Sequence, residues 1–177
     1  MKPYQRLIEL IGDIEGRLKQ MTKFKLLPPE KLAYLAGFLD GDGSVNAQLV
    51  KRLDYRLGYQ IRVSVTFFQK STRHWFLMKI KDEFGVNGTL RYRDDGVSEL
   101  AVVGVNFVKP FLETIQPYVL IKQKQTRLVL DICNNLSKNQ LPEDFIKLCK
   151  KVDLLEDLND SKKTKIRAVD VEAYLTG

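Results

Sequence analysis

Residues 59–68 read YQIRVSVTFF and alternate along their whole length. Tyr59, Ile61, Val63, Val65 and Phe67 point one way. Gln60, Arg62, Ser64, Thr66 and Phe68 point the other. A period of two is the mark of a strand with one buried and one open face. Here the open face is polar, with a single charge. Such a strand is not stable alone, so its neighbours must share the pattern.

Residues 44–53 alternate more loosely and supply the first neighbour. A second hairpin follows: TLRYRDD, a turn at Asp95–Gly96, then VSELAVVG. Helical spacing fills the gaps. A helix over about 29–41 opens behind Pro28 and Pro29, where proline is tolerated in the first turn. A helix over 72–84 would pack through Trp75, Phe76, Met78 and Ile80 and stop at Gly85. Further helices are expected over 105–114, 122–136 and 142–158, with a short one at 168–175. Residues 4–20 place Leu7, Ile8, Ile11, Ile14 and Leu18 on one face, weakened by Gly12 and Gly16. The predicted fold is α+β: an antiparallel four-stranded sheet with helices on one face. Its other face is free for a large ligand.

Charge says what kind of ligand. The 177 residues carry 29 Lys+Arg against 22 Asp+Glu, a formal net charge of +7. That surplus points to an anionic partner, nucleic acid being the commonest. Two cysteines (Cys133, Cys149), with no CxxC pair, and one histidine, His74, argue against a Cys/His zinc site and multi-histidine hydrolases. No apolar run is long enough to span a membrane. The N-terminus lacks a secretory core, and Glu9, Asp13 and Glu15 argue against a transit peptide.

Residues 35–44, LAGFLDGDGS, put Asp40 and Asp42 at the end of an apolar helix. A helix C-terminus carries partial negative charge, so two carboxylates there need something positive against them. A calcium loop beginning at Asp40 would need Gly at position 6 and Glu at position 12. Val45 and Lys51 stand there, so that reading fails. A packing turn accounts for Gly37 and Gly41, four apart on one helix face, but not for the aspartates. A divalent cation against Asp42 would offset both the carboxylate and the dipole.

LAGFLDGDG resembles the signature of the LAGLIDADG homing endonucleases. FFQKSTRHWF (67–76), PYVLIKQKQ (117–125) and LNDSKKTK (158–165) resemble segments at corresponding places in the single-motif, homodimeric, group I intron-encoded branch. The likeness covers about residues 30–165. Residues 1–27 have no counterpart in it. The domain division expected is an N-terminal helical extension (1–27), an endonuclease domain (28–165) and a C-terminal tail (166–177).

The resemblance implies an αββαββα core whose sheet is a DNA-binding saddle. It implies Mg²⁺ held by Asp42 and the Gly41 carbonyl, with Gln69, Arg73 and Lys122 completing the catalytic set. Gln69 cannot take a proton at neutral pH, so its role is to orient water. The motif helices would form a homodimer interface through Leu35, Ala36, Gly37, Leu39 and Asp40. The saddle would enter the major groove of double-stranded DNA. Its reading residues would be Asn46, Gln48, Val50 and Arg52, then Gln60, Arg62, Ser64 and Thr66, then Arg91, Arg93, Glu99 and Ala101. Ser161, Lys162 and Lys165 would touch phosphates. A pseudo-palindromic target follows from two-fold symmetry. The family also includes RNA maturases and binders that no longer cut, so the alternative function is a non-cleaving intron maturase, an RNA splicing cofactor with intron RNA as partner. An organelle, chloroplast or mitochondrion, is the compartment the resemblance implies.

Overall fold

The structure, a computed structural model, describes residues 3–159 and 166–177. Ser161, Lys162 and Lys165 lie outside the described residues. One sheet holds β1 (Gly43–Lys51), β2 (Tyr59–Lys70), β3 (Thr89–Tyr92) and β4 (Val97–Val103). All neighbours are antiparallel, in the order β1-β2-β4-β3. The helices are α1 (Pro3–Lys25), α2 (Pro29–Asp42), α3 (His74–Glu83), α4 (Val105–Ile115), α5 (Gln123–Asn135), α6 (Pro142–Leu158) and α7 (Ala168–Thr176).

Register follows from the alternation. Val45, Ala47 and Leu49 pair with Val65, Val63 and Ile61, and all six are buried. They meet Leu35 and Leu39 of α2, Leu77 and Ile80 of α3, Leu112 and Ile115 of α4, and Ile132 of α5. Burying each Leu, Ile or Phe contributes about 1.5–3 kcal/mol. Phe38 of α2 stacks on Phe67 of β2 at 5.1 Å and seats the motif helix on the strand. Burial pushes the Cys133 thiol up to about 11 and that of Cys149 to about 12, so both are unreactive core residues.

Two expectations are corrected. Within α3, Leu77 and Ile80 turn to the sheet, and a helix that does so must turn Trp75 and Met78 outward; they are 61% and 46% exposed. The first helix, expected over residues 4–20, runs on through Lys25. It is held by Phe24, stacked on Phe111, and by Lys23, which donates to the Asp82 carbonyl. Its apolar residues Leu10, Ile11, Ile14 and Leu18 face outward. The short helix expected at 168–175 is present as α7, packed on α6 with Ala168 and Val171 buried.

Candidate active site and nucleic-acid interface

Helix α2 ends at the N-terminus of α5, and each end supplies what the other lacks. The Asp40 carboxylate accepts from the backbone N–H groups of Leu120 (2.8 Å), Ile121 (3.1 Å) and Lys122 (3.0 Å). Those amides precede the first turn of α5, where helical partners are missing. In return the Lys122 ammonium donates to the Asp40 carbonyl, at the negative end of α2. Burial alone would raise the Asp40 pKa. The Leu120, Lys122 and Ile121 amides, with the Lys122 charge, outweigh it and hold the carboxyl below its ordinary 3.8. Asp40 is thus a brace between two helices, and the positive group its position demands is Lys122.

Asp42 is different. It is exposed, and its carboxylate accepts from Gln69 Nε2 at 3.1 Å. The other amide atom of Gln69, Oε1, is buried without a partner among the described residues. An unpaired acceptor beside a carboxylate is the donor set expected around a hydrated hard cation. Gly41 lies in the last turn of α2, where its carbonyl has no amide of the same helix to accept from. No group of three or more His, Cys, Asp or Glu side chains converges among the described residues, at this site or any other. One carboxylate per chain suits Mg²⁺ or Ca²⁺, which fill their shells with water and phosphate oxygens, and does not suit zinc.

The pair Asp42–Gln69 stands at one end of the open sheet face. Rows across that face follow the register: Val50 with Gln60, Gln48 with Arg62, Asn46 with Ser64. Then come Ser44, Thr66, Ala101 and Thr89, and finally Phe68, Glu99 and Arg91.

A family model described as LAGLIDADG endonuclease matches residues 35–138. The chain is 43% identical over 145 residues to the DNA endonuclease I-CvuI of Chlorella vulgaris, covering 82% of this chain and 89% of that protein. It is 41% identical over 147 residues to the DNA endonuclease I-CreI of Chlamydomonas reinhardtii, again covering 82% and 89%. A crystal structure of I-CvuI in complex with its target, in the presence of 2 mM Ca, superposes with a TM-score of 0.77, covering 82% of this chain and 92% of that one. The chain belongs to the LAGLIDADG endonuclease family.

For a LAGLIDADG chain the expected site residues divide cleanly. The structure brings Asp42, Gln69, Asp40 and Lys122 together at the α2 terminus. Arg73, the last residue of a 3-10 turn (Ser71–Arg73), is exposed and hydrogen-bonds to none of them. On the open face, Gln48 and Arg62 are exposed, while Asn46, Val50, Gln60, Ser64 and Thr66 are half-buried. Arg91 and Arg93 are exposed but both ion-pair with Glu99, and Arg93 also with Asp95. Arg52 is held in a fork by Asp54 at 2.9 and 2.8 Å and lies over the Tyr55 ring.

Two groups are corrected. Glu99 and Ala101 lie on the open face but are buried, at 9% and 6% exposure. Glu99 is covered by its arginines, and the short Ala101 sits between β2 and β3, below its neighbours. Of the five interface residues, Leu35, Ala36, Leu39 and Asp40 face their own core, and only Gly37 is exposed. The face of the LAGLIDADG helix left open is Ala33, Gly37 and Gly41, where an added Cβ at either glycine would meet nothing.

A chain of polar groups that no motif marks lies beneath the site. His74 Nδ1 and Ser98 Oγ are 2.9 Å apart, and Ser98 Oγ donates to Ser71 Oγ at 3.3 Å. Ser98 pairs with Gln69 across the strands and is fully buried. The His74 ring stacks on Tyr92 at 3.8 Å. A serine at an inward position of VSELAVV was the available signal, since a buried hydroxyl needs partners.

Proposed function

We propose that this chain is a Mg²⁺-dependent DNA homing endonuclease that cuts both strands of a pseudo-palindromic duplex as a homodimer. The observation that carries this is the placement of Asp42 and the unpaired Gln69 Oε1 at the end of an open, polar sheet face. Chemistry and recognition then share one surface.

Asp42 and the Gly41 carbonyl are the groups that would hold the metal. Bound there, Mg²⁺ would supply a polarised water and neutralise charge on the scissile phosphate. Gln69 keeps Asp42 oriented through Nε2 and presents Oε1 to a water. Lys122, immediately after the exposed Leu120–Ile121 pair, and Arg73 contribute positive charge where phosphate charge develops. No side chain in the set is a strong base, so orientation and charge carry the catalysis.

The open face lies in the major groove, which admits a β-ribbon and gives each base pair a distinct pattern. Arg62 suits guanine, and Asn46, Gln48 and Gln60 suit adenine. The N-terminal extension, the endonuclease domain and the C-terminal segment are assigned as residues 1–27, 28–165 and 166–177. A second copy docks on Ala33, Gly37 and Gly41. This is supported by the exposed apolar residues flanking that stripe: Tyr34, Trp75, Leu120 and Ile121. Two copies about a two-fold axis place two Asp42 sites against opposite strands. Both curated relatives come from green algae, which supports an organellar intron as the home of the gene.

The test is cleavage of a randomised duplex library in Mg²⁺, Ca²⁺ or EDTA, with wild type and Asp42→Asn. Double-strand cuts that require Mg²⁺ and vanish in the variant are expected. Cutting unchanged by Asp42→Asn would remove the metal assignment, and tight binding without cutting in any metal would remove the nuclease assignment.

A further inference from the structure

The reading hairpin is long, and its far end is not held by its own strands alone. Lys51 and Tyr59 form the last pair of β1 and β2. Beyond them the chain turns through Arg52–Gly58, closed by Arg52 N–H donating to the Gly58 carbonyl at 2.8 Å. Gly58 has φ 70°, a conformation that favours glycine. Space gives a second reason. A Cβ there would lie 2.5 Å from Tyr174 Cε1 and 2.9 Å from its hydroxyl oxygen.

Tyr174 belongs to α7, near the opposite end of the sequence. Its ring meets Tyr59 edge-on at 5.4 Å and 81°, and the Lys51 ammonium lies over it at 6.0 Å. One aromatic ring therefore touches both strands and the turn that joins them. Helix α7 is itself fixed to α6. The Ala168 N–H donates to both oxygens of Asp153, at 3.3 and 3.1 Å, and Arg167 ion-pairs with Asp153, Glu156 and Asp157. On the other side of the tip, the Arg56 guanidinium donates to the Gln140 carbonyl.

We propose that Tyr174 is a positioning residue for sequence readout: it sets the attitude of the outer end of the DNA-reading hairpin. The proposal rests on the reading of the open face as a DNA surface. The reading pairs beside the clamp are Val50 with Gln60 and Gln48 with Arg62. Tyr174 lies off that surface, because it packs on Lys51 and Tyr59, whose side chains alternate with the readers. From Gly43 to Lys51 the strand runs about 26 Å, roughly eight base-pair steps at about 3.4 Å each. A tilt at the tip therefore reaches the base pairs farthest from the cut and leaves the Asp42 end in place. Bidentate contacts are geometrically strict, so a small tilt discriminates poorly between bases.

The experiment is cleavage of a library randomised across the whole target by wild type, Tyr174→Phe and Tyr174→Ala, scored position by position. Tyr174 is half exposed, so both variants keep the core intact. Tyr174→Phe keeps the ring and should reproduce the wild-type preferences. Tyr174→Ala should cut the best sequence at a near-normal rate but accept wrong bases at the outer positions about tenfold more readily. Gly58→Ala, which pushes on the same contact from the hairpin side, should relax the same positions. An unchanged profile in Tyr174→Ala, or a uniform loss at every position, would overturn the proposal. If wild type itself selects no site, the DNA-surface reading fails first, and that result is distinct from a selective wild type with an indifferent variant.

Discussion

The two ends of the β1–β2 hairpin are fixed in opposite ways. At the end carrying Asp42, polar groups do the fixing: Asp40 braces the start of α5, Lys122 answers at the end of α2, and Gln69 holds Asp42. At the tip, an aromatic ring from α7 and one arginine reaching the 136–141 loop do the fixing. The first arrangement is directional and tolerates little displacement. The second is a packing contact that can yield by a few tenths of an ångström. The difference suits a chain whose chemistry must be exact in place while its recognition surface follows a flexible duplex.

The sharpest way to break the comparison lies inside the first end. Asp40 and Asp42 are two residues apart yet should fail differently. Asp42→Asn removes the ligand charge from an exposed site. Cleavage should fall by about a thousandfold or more, the scale on which charge stabilisation acts in such sites, with duplex binding retained. Its thermal melt should match wild type. Asp40→Ala should do the reverse in kind. It strands three backbone N–H groups and costs about 3 kcal/mol of stability, read as a lowered melting temperature, with activity lost only as the protein unfolds. If Asp40→Ala melted like wild type, the brace would be wrong.

The same carboxylate gives a pH dependence. The folded Asp40 pKa lies below its unfolded value of 3.8, so the folded state binds the proton less readily. Its stabilisation is fully present above the unfolded value and is lost as pH falls through the folded one. Acid unfolding followed by far-UV circular dichroism should show this. Asp40→Asn should flatten the acid limb relative to wild type.

Much of the fold was legible because it depends on local period. The alternation of residues 59–68 and the position of Pro29 put β2 and α2 within two residues of their observed bounds. The active-site end was legible for a related reason: a carboxylate at a helix C-terminus violates a local rule, and the violation marks the site. What the sequence hid was which side of a helix faces inward when most of its residues are apolar. Leu35, Ala36 and Leu39 read as well for an interface as for a core, and only the packing of α2 on Phe67 decides. Nor does periodicity show that Tyr174 meets Gly58, since long-range contacts leave no local trace.

Smaller effects sharpen the recognition side. Arg62 is exposed on the central reading strand, opposite Gln48, with no ion-pair partner among the described residues. Arg62→Ala should cost about 1–3 kcal/mol of discrimination at one base pair and little elsewhere. Arg91→Ala should cost less, because its charge is already shared with Glu99. Position-by-position competition cleavage measures both, and equal losses would mean that Glu99 releases Arg91 when DNA binds.

The smallest effect belongs to the tip itself. Asp54 holds both the Nε and the terminal nitrogen of Arg52 in a fully exposed fork. The pair raises the Arg52 pKa and lowers that of Asp54, first of all through their hydrogen bonds. Exposed pairs of this kind contribute little to stability, so Asp54→Asn should leave the melting temperature unchanged. It should still alter recognition, because a freed guanidinium can turn from the turn residues toward the duplex. The expected result is tighter, more salt-dependent binding, since one more phosphate contact steepens the salt slope by about one. Preferences at the central base pairs should not move. A change there would mean that the tip and the active-site end are mechanically coupled, and the distinction between a directional end and a yielding one would be lost.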